Sequence, residues 1–460
     1  MEDSRIILMR DKKVSTAINK MAIPAIVGLI MMGIYNIVDT MFVAWLGTAE
    51  TGATQVVLPI SLLITSLGLA LGIGSGAYIS RLLGMNKRET ADTVGSTIFF
   101  TALICGIIFT IVSITFLDSL LSFFGASGAV LSHSRSYGFY ILLGSMFQVG
   151  MMTMNNMLRS EGSARLSMIG QSAGALINII LDPLFIFVFD MGIAGAAIAT
   201  TISKVIAFFI LLSPYLRHQT VVRISLAKFR PSKSIYRETA VVGIPTFLRQ
   251  ILISLSVGFL NQRAMIIGGE TLLAAVGLVW KVSLFLFLII LGLGQGVQPV
   301  IGYNMGAGRK DRVLGSIRYA LIISISIAMI FSICLVLFGK QILGIFRPEP
   351  SVLDFGIIGL RFNAIALLLM AISNTITVFY QALGRAKESL LLSISRQGLF
   401  LIPAILILPS FFGTMGTLGA QLAADVLTLL LALVLFIPYI RGDKLDGNIR
   451  EYITKHGSIN

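Results

Sequence analysis

Cysteine, histidine and charged residues are all scarce in this chain of 460 residues. It contains two cysteines and three histidines, and only 12% of its residues are charged. Cys105 and Cys334 lie in apolar sequence, while the histidines fall in loops, at segment ends or in the tail. The chain therefore lacks the residues for a disulfide framework or a His/Cys metal cluster. Serine–histidine and cysteine–histidine catalysis lack their residues too, so we expect neither enzymatic activity nor a cofactor.

Apolar residues dominate the composition instead. They make up 56% of the chain, and the mean hydropathy is +0.91, which is more apolar surface than a soluble protein of this length buries. Charges gather between apolar runs of about 20 residues, the length that crosses a bilayer as a helix. Short alternating segments, typical of a membrane barrel, are absent. We predict an all-α, polytopic membrane protein with twelve transmembrane helices, near residues 20–46, 55–79, 92–116, 130–157, 166–189, 193–214, 239–267, 271–303, 313–338, 355–383, 388–408 and 417–439.

Lysine and arginine concentrate in alternate loops between these runs. This asymmetry follows the positive-inside rule and agrees with an even number of spans. It predicts a multi-pass protein of the cytoplasmic (inner) membrane with both termini in the cytoplasm. The net charge of +14 then reflects topology, because the basic residues are dispersed over loops, and we expect no nucleic-acid binding.

The sequence repeats itself at a spacing of about 220 residues. Ile23-Pro24 returns as Ile244-Pro245, and Gly72-Ile-Gly74-Ser-Gly76 returns as Gly292-Leu-Gly294-Gln-Gly296. These glycines lie within predicted spans, so they are interpreted as helix-packing positions rather than a nucleotide fingerprint. Duplicated hydrophobic halves are typical of secondary transporters, which hold a central site between repeats.

Each half contains six spans, so both halves enter the membrane from the same side as a parallel repeat. We predict an N-lobe over residues 1–222 and a C-lobe over residues 223–460, each a six-helix bundle. The connector, roughly residues 215–237, is basic. Pro231–Glu238 is compatible with a short helix on the inner membrane surface and equally with a solvated loop.

Two carboxylates of the first half fall well inside apolar runs, at Asp39 and Asp182. Both lie seven residues from the outer end of their span, and Thr200 lies eight residues from the outer end of its span. All three are therefore expected at about 10 to 12 Å below the outer membrane surface. Asn178 shares the helix face of Asp182. Such an all-oxygen group suits Na⁺. It suits a proton equally, since burial favours a neutral carboxyl group; simple polar packing of helices is the third interpretation.

In the second half, Asp425 alone lies well inside an apolar run. By the repeat spacing it corresponds to the neighbourhood of Thr200. Lys281, Lys204 and Arg249 are intramembrane cations that could pair with it or line a water-filled path. An ion pair is the favoured interpretation of Asp425, with a role in coupling as the secondary one.

Four motifs in order carry a family resemblance. They are Pro24 with Asn36 and Asp39 in the first span, Asn155–Gly162 after the fourth, Asn178–Phe185 in the fifth, and Gln298–Ala307 in the eighth. With these motifs the whole chain resembles the multidrug and toxic compound extrusion (MATE) transporters.

The resemblance implies an antiporter of the lipid bilayer that expels cationic small molecules while Na⁺ or H⁺ flows inward. It implies a cation site, a substrate pocket and a hinge at matching positions, which are Asp39, Asn178, Asp182 and Thr200 for the cation, Tyr137, Asn155 and Asn36 for the pocket, and Pro24 for the hinge. The coupling carboxylates that another branch of the family places in its second lobe are absent, so the ion site is expected in the first lobe. The chain is expected to act as a monomer.

A flippase for a lipid-linked saccharide precursor is the alternative function. Such a cavity needs several basic side chains to hold a diphosphate. Lys204, Arg249 and Lys281 are a thin supply, so export of organic cations is the favoured function.

Overall fold

The computed structural model describes residues 4–124, 126, 128–346, 349–440 and 443–457, and no strand occurs within these ranges. The helices of the first half are α1 (Ser4–Arg10), α2 (Val14–Ala44), α3 (Thr48–Gly84), α4 (Arg88–Thr115), α5 (Leu117–Phe123), α6 (Gly128–Leu143), α7 (Ser145–Ser160), α8 (Ala164–Pro183) and α9 (Gly192–Leu216). Those of the second half are α10 (Lys233–Gly306), α11 (Lys310–Gly344), α12 (Pro350–Leu383), α13 (Ala386–Ile394), α14 (Ile402–Ile440) and α15 (Asp443–Gly457). The predicted all-α class is confirmed.

Among the described residues, nine helical stretches are long and apolar enough to cross a membrane. Two of them carry two predicted spans each, because a glycine with positive φ interrupts the helix: Gly269 (φ 62°) in α10 and Gly413 (φ 54°) in α14. Glycine tolerates this conformation because it has no Cβ. The remaining predicted span, residues 130–157, lies on α6 and α7. All twelve apolar runs are thereby placed on helices, as a polytopic protein requires.

The fourth span differs from the continuous helix that we expected. It divides at Gly144, where the Thr201 hydroxyl of α9 donates to the Tyr140 carbonyl at 2.8 Å. That carbonyl is 3.4 Å from the Gly144 amide, which also reaches the Ile141 carbonyl at 3.2 Å. A Cβ on Gly144 would lie 3.0 Å from Thr201. The side chain of α9 therefore competes for a helical acceptor and breaks the helix there.

The fifth span also ends irregularly. After Pro183 the chain forms one wide turn over Leu184–Val188, in which the Phe189 amide bonds the Leu184 carbonyl at 2.9 Å. Proline has no N–H to donate, so the helix before it loses one backbone bond. The wide turn recovers pairing at a spacing of five residues. It begins two residues after Asp182.

The chain forms two compact units, one of Met1–Asp11 with Ile23–Gly243 and the other of Lys12–Ala22 with Ile244–Asn460. Of the three points where the chain passes from one unit to the other, two immediately precede a repeated Ile-Pro pair, at Pro24 and at Pro245. The division at Gly243 lies beyond the predicted lobe boundary at residue 222. Pro24 lies inside the continuous helix α2, and its role as a hinge stays a prediction.

Each unit has its own apolar core and its own exposed apolar surface. In the first unit, Val57, Ile60 and Ile64 of α3 pack with Leu142 of α6. In the second, Leu335 of α11 packs with Leu360 and Leu367 of α12. Many large apolar side chains remain outside, among them Ile107, Ile108 and Ile111 of α4 and Ile330, Ile333 and Leu337 of α11. Such a surface is stable because lipid, rather than water, is its solvent.

The connector between the halves is not the surface helix considered above. Lys233 to Glu238 form the first turns of α10, and Pro231 precedes that helix. The connector instead lies along α4. Asp92 accepts from the Arg223 amide at 2.8 Å and pairs with Lys228 at 2.5 Å. These bonds fix the segment to the first unit.

Candidate functional site

Three of the predicted site residues meet where α8 and α9 pack together. The Asn178 amide nitrogen donates to Asp182 Oδ1 at 3.0 Å and to Thr200 Oγ1 at 3.3 Å. The side chains are almost completely buried, with residue exposures of 2% for Asn178, 0% for Asp182 and 4% for Thr200. Asn178 and Asp182 share one face of α8 because they are four residues apart. One amide thus joins the carboxylate of its own helix to the hydroxyl of the next.

Asp39 completes the group from α2. Its carboxyl group faces that of Asp182, and the two side chains interact directly. Two carboxylates at such a position repel each other unless a cation or a proton lies between them. The structure therefore brings together all four residues of the predicted cation site, from three different helices of one unit.

Three oxygens in this group lack hydrogen-bond partners within the described part of the chain. Asp39 Oδ1, Asn178 Oδ1 and Asp182 Oδ2 are each buried and unpaired. Buried polar atoms are nearly always paired, so three together at one place indicate a site for an ion, a proton or a water molecule. Hard cations bind oxygens of this kind. The described residues contain no group of three or more His, Cys, Asp or Glu side chains that could hold a metal ion. The oxygen ligands that this site offers an ion are instead two carboxylates, one amide and one hydroxyl.

Two tyrosines border the acids. Tyr137 of α6 is buried and interacts with both Asp39 and Asp182. Tyr35, one turn before Asp39 on α2, is close to both acids as well. Tyr137 was expected beside the cation site from the resemblance. Tyr35 was missed, although its spacing of four residues from Asp39 places it on the same helix face.

Lys204 is a further residue of this cavity, and it does not pair with Asp425 among the described residues. It was considered as a partner of Asp425, but its ammonium group donates to Gln148 Oε1 at 2.8 Å and interacts electrostatically with Asp39. Gln148 in turn donates to the Thr65 hydroxyl at 2.7 Å. Lys204 follows Thr200 by one helical turn, so both face the same cavity.

Asn155 and Asn36 make other contacts. Asn155 is buried, donates to the Ser167 carbonyl at 3.2 Å and accepts from the Arg159 guanidinium. Asn36 is exposed, and its amide donates to the Met32 carbonyl of its own helix at 2.8 Å. Neither side chain bonds to the acids of the cation site. Their place in a substrate pocket stays a prediction.

Asp425 forms an ion pair with a residue that we did not consider. Arg396 donates Nε to Oδ1 at 2.6 Å and Nη2 to Oδ2 at 3.3 Å, and Gln421 also donates to Oδ2, at 3.1 Å. The predicted partners Lys281 and Arg249 make no bond to it within the described ranges. Both carboxylate oxygens of Asp425 are thus occupied, which supports the ion-pair interpretation over a role in coupling.

Comparisons with known proteins agree with this architecture. A family model described as MatE matches residues 24–184 and 245–407, one match in each half. Multidrug export protein MepA of Staphylococcus saprophyticus is 31% identical, over 98% of this chain and 100% of its own length. MepA of Staphylococcus aureus is 30% identical over the same shares.

Solved structures give the same result. One described as MATE in the bent conformation superposes with a TM-score of 0.92 at 26% identity, covering 98% of this chain and 100% of the other. A transporter of the MOP superfamily from Pyrococcus furiosus, described as having a binding pocket of reverse polarity, gives 0.90 at 27% identity over 96% and 99%. Relatives of this kind are transporters and not enzymes. The chain belongs to the MatE family.

Proposed function

We propose that this protein exports organic cations, including drugs, across the cytoplasmic membrane in exchange for Na⁺ or H⁺. The relatives named multidrug export proteins support the export of drugs. The cluster of three buried, unpaired oxygens at Asp39, Asn178 and Asp182 is the observation that carries the coupling. We further propose that the monomer is the working unit and that both termini lie in the cytoplasm.

The coupling works through charge. Asp39 and Asp182 make one region of the first unit negative, and either an incoming cation or a bound organic cation can neutralise it. Each ligand then weakens the binding of the other, as an exchanger requires. Entry of one unit charge is driven by about 2.3 kcal/mol per 100 mV of membrane potential. A ligand shifts the equilibrium between two access states only by its difference in affinity for them, so neutralising the acids must favour one state.

Asn178 and Thr200 position the acids. The Asn178 amide group holds Asp182 and Thr200 through its nitrogen and leaves its own oxygen unpaired. Its oxygen and those of the two carboxylates are then available to a small cation without rearrangement. A proton would need only one carboxylate oxygen, so the same geometry supports either ion.

Dye efflux from proteoliposomes tests this function. Purified protein is reconstituted, and ethidium export is measured under a Na⁺ gradient alone and under a pH gradient alone. One gradient should drive export by the native protein, while Asp39→Asn and Asp182→Asn should abolish the dependence on it. Asp118→Asn is the matched control because Asp118 is an exposed acid that pairs with Arg135. Unchanged gradient dependence in both site variants would refute the coupling.

Flipping of a lipid-linked saccharide is not favoured. The cavity of the first unit carries two acids and one lysine, the wrong sign for a diphosphate. The curated relatives given above are named for multidrug export rather than for lipid transfer.

A further inference from the structure

The second unit contains a cavity of its own at the end of its last long helix. It has a volume of about 580 Å³, within the range of sites that hold small organic ligands. The start of α13, the last turns of α14 and one face of α15 form its walls. These walls carry two positive and two negative side chains, which are Arg385, Lys444, Glu388 and Glu451. The proposed exchange uses none of them.

Arg385 presents a fixed guanidinium group to this cavity. Its Nε donates to the Tyr439 hydroxyl at 3.0 Å and lies 3.7 Å from Glu388 Oε1. The same hydroxyl donates to Glu388 Oε1 at 3.3 Å. Neither Nη group of Arg385 makes a hydrogen bond within the described part of the chain, and 35% of the side chain is exposed. A guanidinium group that is held at Nε and open at both Nη atoms matches two oxygens of a phosphate group.

One face of α15 forms a second wall. Lys444, Gly447, Asn448 and Glu451 are spaced by three or four residues, so they lie on the same side of the helix, and all four line the cavity. Lys444 and Glu451 are exposed, and neither forms an ion pair with another described residue. Between them the space is open, since a Cβ on Gly447 would meet nothing within 4 Å. A positive and a negative side chain thus lie on either side of a gap.

The rest of α15 is fastened to the unit. Leu445 and Ile449 are buried, and Asp446 pairs with Lys310 of α11 at 2.5 Å. The charged face of α15 is therefore held in position by contacts outside the cavity. A site preformed in this way binds a ligand without first ordering its own side of the contact.

The third wall is apolar and continues onto the lipid-facing surface. Val434, Leu435 and Pro438 of α14 line the cavity, and Val434 is 69% exposed. In a membrane protein, an apolar side chain exposed to this extent faces acyl chains rather than water. The helix α14 ends at Ile440, and the polar helix α15 begins at Asp443. The cavity therefore lies where the hydrocarbon region meets the lipid head groups.

We propose that this cavity binds the head group of phosphatidylethanolamine. Arg385 and Lys444 bind the phosphate, Glu451 binds the ammonium group, and the acyl chains lie along α14 beside Val434. The balance of acids and bases favours a zwitterion, because the anionic head group of phosphatidylglycerol would leave Glu451 without a counter-ion. The ammonium group of ethanolamine can donate hydrogen bonds to a carboxylate, whereas the quaternary group of phosphatidylcholine has no N–H. The site is independent of the proposed exchange.

Native mass spectrometry of the full-length protein in detergent tests this site. Dioleoyl phosphatidylethanolamine, phosphatidylglycerol and phosphatidylcholine are added in turn, and the fraction of protein that retains one lipid is measured against lipid concentration. The native protein should bind phosphatidylethanolamine about tenfold more tightly than the other two, in line with one hydrogen bond between charged groups. Soluble phosphoethanolamine, which has the head group but no acyl chains, should bind much more weakly, because it buries no apolar surface against α14.

Three variants locate the binding. Gly447→Leu should abolish retention of the lipid by filling the cavity; its side chain enters open space, and leucine is a better helix former than glycine, so the variant should fold. Glu451→Gln should remove the preference for phosphatidylethanolamine over phosphatidylcholine. Arg450→Gln is the matched control, because Arg450 is an exposed residue on another face of α15, and it should bind lipid as the native protein does.

The outcomes decide between a specific lipid site and its alternatives. Retention of phosphatidylethanolamine that is lost in Gly447→Leu and kept in Arg450→Gln supports the site. Equal retention of the three lipids by the native protein, or native retention by folded Gly447→Leu, overturns it. Equal affinity for soluble phosphoethanolamine also overturns it, because the acyl chains would then contribute nothing. The gradient dependence of dye export is read separately and tests only the proposed exchange.

Discussion

Asn178 holds Asp182 in place from one helical turn earlier, with 3.0 Å between its amide nitrogen and the carboxylate Oδ1. The same nitrogen reaches Thr200 on the neighbouring helix at 3.3 Å. Because a single amide joins both, the position of the carboxylate depends on the packing of α8 against α9. The wide turn after Pro183 begins directly beyond this carboxylate. The site is thus built at the point where the regular helix ends.

Replacing Asn178 by alanine should weaken coupling without preventing folding. The change removes a hydrogen bond to a charged group, worth about 1.5 to 3 kcal/mol, so the ion concentration that gives half-maximal export should rise by about 10- to 150-fold. Dye export at a series of Na⁺ concentrations or pH values measures it. Asn261→Ala changes an exposed asparagine of the second unit and should leave the concentration dependence as it is. An unshifted midpoint in Asn178→Ala would remove this residue from the site.

Thr200 can be tested with two substitutions of nearly equal size. Valine keeps the shape of threonine but has no hydroxyl, while serine keeps the hydroxyl. We expect Thr200→Val to weaken ion dependence by about 3- to 10-fold, in line with one neutral hydrogen bond, and Thr200→Ser to retain it. The same midpoint measurement distinguishes them. A weakened ion dependence in Thr200→Ser with none in Thr200→Val would mean that the methyl group, and hence packing, is what matters at this position.

Counting residues from the outer ends of the spans placed Asp39, Asp182 and Thr200 at one depth, and the structure brings them together. Depth is predictable because helical rise is constant. The rotation of each helix about its axis, and the irregularities within it, cannot be predicted in this way. The break at Gly144 arises from a hydroxyl of another helix and leaves no local pattern. Pro183 does signal an irregularity in the sequence, but it does not show in which form the backbone pairs again after it.

Partners of buried charges were the least predictable feature. Arg396 pairs with Asp425, across the contact between α14 and the chain just after α13. The sequence analysis had instead considered three other intramembrane cations, Lys281, Lys204 and Arg249. Lys204 belongs to the other unit. Side chains as long as lysine and arginine reach several neighbours, so the identity of a partner depends on helix packing and not on the distance along the chain.

The ion pair of Asp425 and Arg396 should be structural. Asp425→Asn leaves the guanidinium without its counter-ion, so the protein should unfold at a lower temperature in detergent. The double variant Asp425→Asn, Arg396→Gln should recover part of that loss, because no unpaired charge remains. The ion dependence of dye export should not change in the double variant. A shifted ion dependence there would assign Asp425 a part in coupling after all.

The repeated glycines should be packing positions, as their place in the first unit indicates. A Cβ on Gly72 would lie 2.9 Å from Asn156 Cβ and 3.0 Å from the Met152 carbonyl, both on α7. Gly72→Ala should therefore push α3 from α7 and destabilise the protein by about 1 to 3 kcal/mol. Thermal unfolding in detergent measures this. Gly277→Ala is the matched control, because nothing lies within 4 Å of its added methyl group; equal unfolding temperatures for the two variants would contradict the packing role.

The connector should be released by a single change at Asp92. This carboxylate accepts from the Arg223 amide at 2.8 Å and from Lys228 Nζ at 2.5 Å, so Asp92→Asn removes the charge that holds a basic segment against α4. Trypsin cleaves after basic residues and requires a locally unfolded chain, so cleavage in the connector should be faster in the variant. The rate of appearance of two half-length fragments on a gel measures it. Asp311→Asn, in the first turn of α11, should leave the connector cleavage rate at its native value. If Asp92→Asn is cleaved no faster than that control, the hydrogen bonds of the connector backbone to Ser96 and Thr97 hold the segment without Asp92.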